Sequence, residues 1–320
     1  MAEKSIRKIL QDVFNKKRAD IKDVNVFDAS KYPIKIKGNA QQKKKAGEAL
    51  DVLMQSETGK KLVENAASYG YVIAAKPLED VCGYCISSSK TVLLNYNKSS
   101  EDVIATLAHE LRHVEQGHRG LFADLETDNI KSQVIKERAT EADADVMMSV
   151  VLYELKEKGH IGIFEKNLQE EMALVAFDKE INNSGNIEKA KAAAFKGWYG
   201  NKVINDWYDN YYFVDGFQKD EDPEIMKLRA FSASTNPSEY LLKLCEIDGK
   251  NYMSGEDKNI LNKGKFIEIS REAKENLDKY FVEHQRVTWR PADTSYQNLP
   301  IRGEEQSVSA LVLMAKKQER

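Results

Sequence analysis

The sequence predicts an α+β fold in which helices predominate. Of its 320 residues 6 are proline, and none lies between Pro77 and Pro223, so long helices can form there without interruption. Three short apolar segments with β-branched residues occur before residue 97, and such segments are typical of strands in a small sheet. A composition of 42% hydrophobic and 31% charged residues favours a folded globular chain over a disordered one.

The charge and the apolar runs of the chain argue against several kinds of partner. With a formal net charge of −3, the chain has no strong overall attraction for nucleic acid or acidic lipid. No uninterrupted apolar run approaches about 18 residues, and the first residues lack a signal-peptide core. Three cysteines do not make a disulfide framework and indicate a reducing compartment. We therefore expect no membrane contact and a cytoplasmic location, although export without a signal would leave the same composition.

The first 50 residues are more basic than the rest, with 13 Lys and Arg against 6 Asp and Glu. Apolar spacing predicts a helix over residues 4–18, which with an irregular lead-in forms an N-terminal segment, residues 1–39. Such charge is typical of a solvated helix face. The alternative is a docking segment, so a protein partner bound through this basic segment is possible on charge grounds.

Residues 40–160 are predicted to form a mixed helix and strand core. The predicted elements are, in order, helices near 40–55 and 57–68, strands at 71–75, near 81–87 and at 91–96, and helices over about 99–117 and 129–159. Ser99 and Asp102 have the spacing of a capping box at the start of the third helix. Residues 161–290 are mainly helical by pattern and would complete or cover a cleft, and residues 291–320 are predicted to be a loop or tail.

The helix that follows Ser99 contains the stretch TLAHELRHVEQ. On a helical wheel His109 and His113 lie about 40° apart, while the apolar residues form a separate stripe that would face a core. Glu110 lies between the histidines and this stripe. A half-buried helix would therefore hold both imidazoles side by side at the border of the core.

This spacing suits a metal ion. Zinc binds imidazole nitrogens at about 2.0–2.1 Å, and residues four apart on a helix converge on one ion. Glu110 points too far round the helix to be a ligand, but it can reach a water on the metal and act as general base, as in the H-E-x-x-H arrangement. The competing interpretation is a polar helix with two unrelated histidines. The capped amphipathic pattern directly after short strands favours the metal site.

A catalytic zinc usually has three protein ligands and one open position. The pattern H-E-x-x-H-x-x-G-x-x-H would need a histidine six residues after His113, but Arg119 stands there. The next helix offers carboxylates, and we predict Glu141 as the third ligand. Asp145, one turn later, is predicted to accept a hydrogen bond from a ligand histidine, although a solvated charge is the alternative. The other acids that could be the ligand are Glu137 and Asp143.

The segments TLAHELRHVEQ and ERATEADAD resemble those of zincin metallopeptidases of the gluzincin type, in particular small metallopeptidase domains of bacteria and phages. The resemblance covers about residues 57–155. It implies a small antiparallel sheet packed on the zinc helix and on the second, glutamate-bearing helix. It also implies that an edge strand, TVLLNY or the strand near 81–87, pairs with an extended peptide substrate. Gluzincins often add a Tyr or His that stabilises the tetrahedral intermediate. The candidates for that residue here are Tyr208, Tyr211, Tyr212, His160 and His284.

Two further groups have competing interpretations. Cys82 and Cys85 form a C-x-x-C motif, but the pattern after it is that of a turn and strand rather than a helix. Small buried thiols are therefore expected, and a redox site or a metal site with Cys245 are the alternatives. An aromatic cluster could be core packing or a wall of the substrate cleft. This cluster comprises Trp198, Tyr199, Trp207, Tyr208, Tyr211 and Tyr212.

The sequence thus predicts a zinc-dependent peptidase acting on peptide or protein substrates. His109, His113 and Glu141 would bind Zn²⁺, and Glu110 would take a proton from the metal-activated water and pass it to the leaving amine. One alternative is a non-catalytic binding or effector protein that retains a metallopeptidase-like core and acts through the region after residue 160. A purely structural zinc is a third possibility, but it would leave Glu110 without a role.

Overall fold

The structure is a computed structural model that describes residues 26–27, 31–79, 81–215, 217 and 223–303. In chain order the α-helices of these ranges are α1 (Ala40–Leu53), α2 (Glu57–Ser68), α3 (Ser100–His118), α4 (Ile130–Glu157), α5 (Ile161–Leu168), α6 (Met172–Ser184), α7 (Ile187–Trp198), α8 (Lys202–Asn210), α9 (Pro223–Leu228), α10 (Pro237–Leu244) and α11 (Arg271–Val287). The strands are β1 (Val26–Phe27), β2 (Lys35–Lys37), β3 (Val72–Lys76), β4 (Gly83–Ile86), β5 (Thr91–Asn95), β6 (Glu246–Ile247) and β7 (Lys250–Asn251). The fold is mostly helical with a small sheet, as predicted. The helix expected over 4–18 lies outside the described residues.

The first five strands form one sheet with the order β1-β2-β3-β5-β4. β2, β3 and β5 run parallel, whereas β1 and β4 are antiparallel to their neighbours. The expectation of an antiparallel sheet is therefore wrong for the centre of the sheet. The cause is the connection between β2 and β3, because α1 and α2 form a long crossover that returns the chain in the same direction. β4 is antiparallel to β5 because only a short 3₁₀ turn separates them.

The two helices predicted to carry the site begin where the sequence places them. Ser99 and Asp102 form the capping box of α3, and the side chain of Asn129 caps α4 by accepting a hydrogen bond from the Ser132 N–H. α4 is buried along most of its length and on nearly every side. It belongs to two hydrophobic clusters: Val146 and other residues pack with α7, α10 and α11, while Leu152 and others pack with the sheet and α1 to α3. α4 is thus the central helix of the fold.

The later part of the chain packs around α4. The predicted tail is irregular in its described part, 291–303, but it is anchored there. Asp293 accepts a hydrogen bond from the Ile130 N–H at 2.6 Å, and Tyr296 and Leu299 are buried. This contact fixes the start of α4. Among the described helices, none is both long and apolar enough to cross a bilayer.

Candidate metal centre

α3 and α4 pack side by side and bring the three predicted ligands together. The Nε2 atoms of His109 and His113 are 2.9 Å apart. Glu141 Oε2 lies 3.2 Å from the first of them and 3.5 Å from the second. Tetrahedral ligation at about 2.0–2.1 Å needs neighbouring donors about 3.3 Å apart, so these atoms have the spacing of ligands of one ion. The three residues could therefore hold a metal.

The other ring nitrogen of each histidine also has a partner. His109 Nδ1 lies 2.7 Å from Asp145 Oδ1, and His113 Nδ1 lies 2.7 Å from Gln116 Oε1. Asp145 is buried, which contradicts the alternative of a solvated charge. Because both Nδ1 atoms are engaged, both rings present Nε2 to Glu141. Partners of this kind hold the imidazoles in the orientation that a metal requires.

His109, His113 and Glu141 shift one another's pKa values through their charges and hydrogen bonds. Burial alone would raise the pKa of Glu141, but the charge of His113 and hydrogen bonds with both histidines hold its pKa well below the usual value. Burial lowers the pKa of His109, but the hydrogen bonds and charges of Asp145 and Glu141 raise it by a larger amount. The pKa of His109 therefore lies above its usual value. One ionised carboxylate and two basic imidazoles are a suitable donor set for a divalent transition metal.

The two other acids considered as ligands have different partners. The buried carboxylate of Asp143 accepts hydrogen bonds from Arg112 Nε at 2.7 Å and from Tyr252 OH at 2.8 Å. Glu137 lines the same cleft as the histidines. Burial raises its pKa to about 8, although a hydrogen bond from Tyr212 acts in the opposite direction. In the described chain the converging donors come from His109, His113 and Glu141 alone.

Glu110 lies beside the histidines in the cleft and is 8% exposed. Burial raises its pKa, while the positive charges of His113 and His109 and a hydrogen bond from the Cys85 backbone oppose this shift. A carboxylate with a raised pKa is a stronger base and is suited to accept a proton from a neighbouring water.

The edge strand β4 lies directly against α3 at this point. β5 pairs with both β3 and β4, so among the strands that the structure describes β4 is an edge strand of the sheet and TVLLNY is not. A Cβ added to Gly83 would lie 2.6 Å from Thr106 Cγ2 and 2.9 Å from Leu93 O. Only glycine therefore permits this close approach of the strand to the helix.

Gly83→Ala should destabilise the protein by about 1–3 kcal/mol, the cost typical of an added group in a packed site. The new methyl group forces β4 away from α3, so the loss should appear as a lower midpoint of denaturant unfolding. Gly162→Ala is the matched control, because a Cβ there meets nothing within 4 Å. Equal unfolding midpoints for the two variants would contradict the close contact.

The converging donors line a cleft of about 690 Å³. β4 lines one part of it, and α8 with the π-helical turn that follows, Tyr211–Asp215, lines another. The rings of Trp207 and Tyr211 stack with centroids 5.4 Å apart and are each 47% exposed. Tyr199, in contrast, is buried in the core. The aromatic cluster is thus partly core and partly cleft wall.

α8 is fixed over the cleft by charge. Asp209 forms a buried ion pair with Arg138 of α4, and Arg302 lies 3.0 Å from its other oxygen. This arrangement places Tyr208, whose hydroxyl donates a hydrogen bond to Glu141 Oε2 at 2.6 Å. Burial and the charge of Glu141 raise the pKa of Tyr208, so its hydroxyl remains a donor.

Three of the other candidates for a stabilising residue have different partners or surroundings. His160 Nε2 lies 2.9 Å from Gln55 Oε1, and His284 is buried among aromatic rings. Tyr212 hydrogen-bonds to Glu137. Tyr208, in contrast, hydrogen-bonds directly to Glu141, one of the converging donors.

A family model matches more than half of the chain. Residues 22–254 match the model of a family described as "Putative metallopeptidase family (DUF6782)". The chain belongs to this family. No curated protein and no solved structure matches it. Membership of this metallopeptidase family implies a metal cofactor and suggests a peptide or protein substrate. The matched residues extend from β1 beyond the hairpin of β6 and β7, so they include α3, α4 and α8.

The three cysteines of the chain differ in exposure. Cys245 is buried, Cys85 is half-buried and Cys82 is exposed, so the expectation of small buried thiols is wrong for Cys82. Burial raises the pKa of Cys85, which keeps that thiol protonated and unreactive.

Sequence reasoning missed two residues that shape the candidate metal centre. The signal that could have found Gln116 is its position three residues after His113, which places it one turn away on the same helix face. Tyr252 is distant in sequence, and no spacing rule connects it with α4. Its contact with Asp143 arises only from the packing of the β6–β7 hairpin.

Proposed function

We propose that this protein hydrolyses peptide bonds with zinc held by His109, His113 and Glu141 and with Glu110 as general base. The observation that carries the proposal is the convergence of three donor atoms, 2.9–3.5 Å apart, inside a cleft. A zinc ion there would supply Lewis acidity, which lowers the pKa of a coordinated water and polarises the scissile carbonyl.

The protein's own groups have distinct tasks in this proposal. Glu110 accepts the proton of the attacking water and delivers it to the leaving amine nitrogen. Asp145 holds the ring of His109. We further propose that the Tyr208 hydroxyl, which bonds Glu141 Oε2 in this structure, turns to donate its hydrogen bond to the oxyanion that develops on the carbonyl. β4, an edge strand among the described strands, pairs with the backbone of an extended substrate.

The division of labour along the chain follows from these positions. We propose that residues 40–160 are the catalytic core and that residues 161–290 complete its cleft. The aromatic wall supports this, because Trp207, Tyr208 and Tyr211 all come from the later region and line the cleft.

A binding protein that only retains the core is the competing function. Such a protein would need neither an open cleft nor a carboxylate buried beside the donors. Glu110 is 8% exposed and lines a cleft of about 690 Å³, and burying an ionisable group without a task costs stability. These two features favour the enzyme.

Zinc content and peptide cleavage test the proposal on the untagged full chain. Elemental analysis after zinc reconstitution should give about one zinc per chain. A mixture of unstructured peptides should then be cleaved, and a chelator should stop the cleavage until zinc is restored. A chain that binds no zinc would contradict the proposed metal site. A zinc-loaded chain that cleaves no peptide in a broad library would favour a binding protein.

Asp145→Asn should weaken zinc binding by about 10–100-fold, the usual effect of losing such a partner of a ligand. The amide keeps the shape but removes the charge that orients and polarises the ring of His109. Competition with a chromophoric chelator measures the affinity. Asp178→Asn, a partly exposed acid paired with Lys156, is the control and should leave zinc affinity unchanged. Equal affinities for both variants would contradict the role of Asp145.

A further inference from the structure

A buried hydrogen-bond network connects one of the proposed ligands with the β6–β7 hairpin. It starts at Gln116, which has no solvent exposure and uses both ends of its amide. Its Oε1 lies 2.7 Å from His113 Nδ1. Its Nε2 donates to Asp143 Oδ2 at 2.8 Å and to the Thr140 carbonyl at 2.9 Å. Every polar atom of the side chain therefore has a protein partner.

The carboxylate of Asp143 is surrounded by donors. Oδ2 accepts from Arg112 Nε at 2.7 Å as well as from Gln116, and Oδ1 accepts from Tyr252 OH at 2.8 Å and from a second Arg112 nitrogen at 3.3 Å. Arg112 is held in turn by the Leu244 carbonyl at 3.0 Å. Tyr252 follows β7 directly, so the network extends from the hairpin to α4.

This network determines which way the amide of Gln116 faces. A carboxylate and a carbonyl only accept hydrogen bonds, so the NH₂ end must point at Asp143 and Thr140. The reversed amide would set oxygen against oxygen at both contacts. The oxygen of Gln116 therefore faces His113, and the ring can satisfy it only when Nδ1 carries a proton.

We propose that Gln116 is a positioning residue that keeps His113 in the Nδ1–H tautomer, with the Nε2 lone pair free for a metal. We further infer that Tyr252 acts on the metal site through Asp143 and Gln116. This inference rests on the proposed zinc site. It differs from the contact of Asp145 with His109, because a neutral amide orients the ring without adding a second negative charge beside Glu141.

The tautomer can be measured without zinc. In the metal-free full chain labelled with ¹⁵N-histidine, ring spectra at alkaline pH report which nitrogen of each neutral imidazole carries the proton. His113, assigned by the loss of its signals in His113→Gln, should show protonated Nδ1. Gln116→Leu keeps the side-chain volume but removes the acceptor, so His113 should become a mixture of tautomers. Protonated Nε2 in the unmodified chain, or an unchanged tautomer in Gln116→Leu, would overturn the proposal.

Zinc affinity tests the more distant part of the network. Gln116→Leu should raise the zinc Kd by about 10–100-fold, and Tyr252→Phe, one contact farther away, by about 3–10-fold. Tyr240→Phe is the matched control, because this buried tyrosine donates to the Leu121 carbonyl at 2.8 Å instead. Equal Kd values for the Tyr252 and Tyr240 variants would overturn the role of Tyr252.

Failure of the zinc site and failure of this inference give different results. A chain without zinc binding that still shows protonated Nδ1 on His113 contradicts the proposed function and supports the role of Gln116. A chain that binds zinc but shows protonated Nε2 in its metal-free state contradicts the role of Gln116 and leaves the proposed function intact.

Discussion

Glu110→Gln should reduce peptide hydrolysis at least ~100-fold while the protein still binds about one zinc per chain. The amide has the shape of the carboxylate but cannot accept the proton of the attacking water. Glu110 is also absent from the converging donors, so its change leaves the metal ligands in place. The measurements are kcat/KM on a peptide cleaved by the unmodified protein and zinc content by elemental analysis.

Glu101→Gln is the control for this variant. It changes the same side chain in the first turn of the same helix, α3, away from the donors, and should keep normal activity. Full activity of Glu110→Gln would show that another group is the base. Loss of zinc together with activity would instead place Glu110 among the groups that hold the metal.

Glu141→Ala should strip most of the zinc from the protein and with it the hydrolytic activity. The variant removes the only anionic oxygen among the converging donors, and two imidazoles alone bind zinc weakly compared with three ligands. Dialysis against a zinc buffer of fixed free concentration, followed by elemental analysis, measures the loss.

Glu137→Ala separates this effect from the removal of any buried acid. Glu137 lies one turn earlier on α4, has a similar exposure of 9% against 7%, and lines the same cleft. Its variant should retain zinc. If Glu137→Ala loses the metal and Glu141→Ala keeps it, the third ligand has been assigned to the wrong carboxylate.

Local sequence patterns predicted most of the elements that carry the site. Ser99 with Asp102 and Asn129 mark helix starts through side chains that bond within the first turn, so three or four residues contain the whole signal. The spacing of His109 and His113 likewise depends only on helix geometry. The packing of α3 against α4 places Glu141 beside the histidines. This packing could be predicted because both helices are long and close in sequence.

What the sequence could not predict depends on distant contacts. The mixed order of the sheet follows from how α1 and α2 connect β2 to β3, and no pattern within a strand reveals its neighbour. Tyr208 reaches Glu141 because the ion pair of Arg138 with Asp209 fixes α8. Tyr208 is one of six residues in the aromatic cluster, and no local feature of the sequence distinguishes it from the others.

The position of α4 in both hydrophobic clusters has a thermodynamic consequence. A helix shared by two clusters cannot lose its structure in one without exposing the other, so the sheet and the later helices should unfold in a single cooperative transition. Any ligand of the native state then stabilises the whole described chain rather than its own neighbourhood. A metal present at 100 times its Kd adds about 2.7 kcal/mol to the free energy of unfolding. A metal bound at Glu141 would therefore also stabilise the distant loop of Tyr296, which is anchored to the start of the same helix.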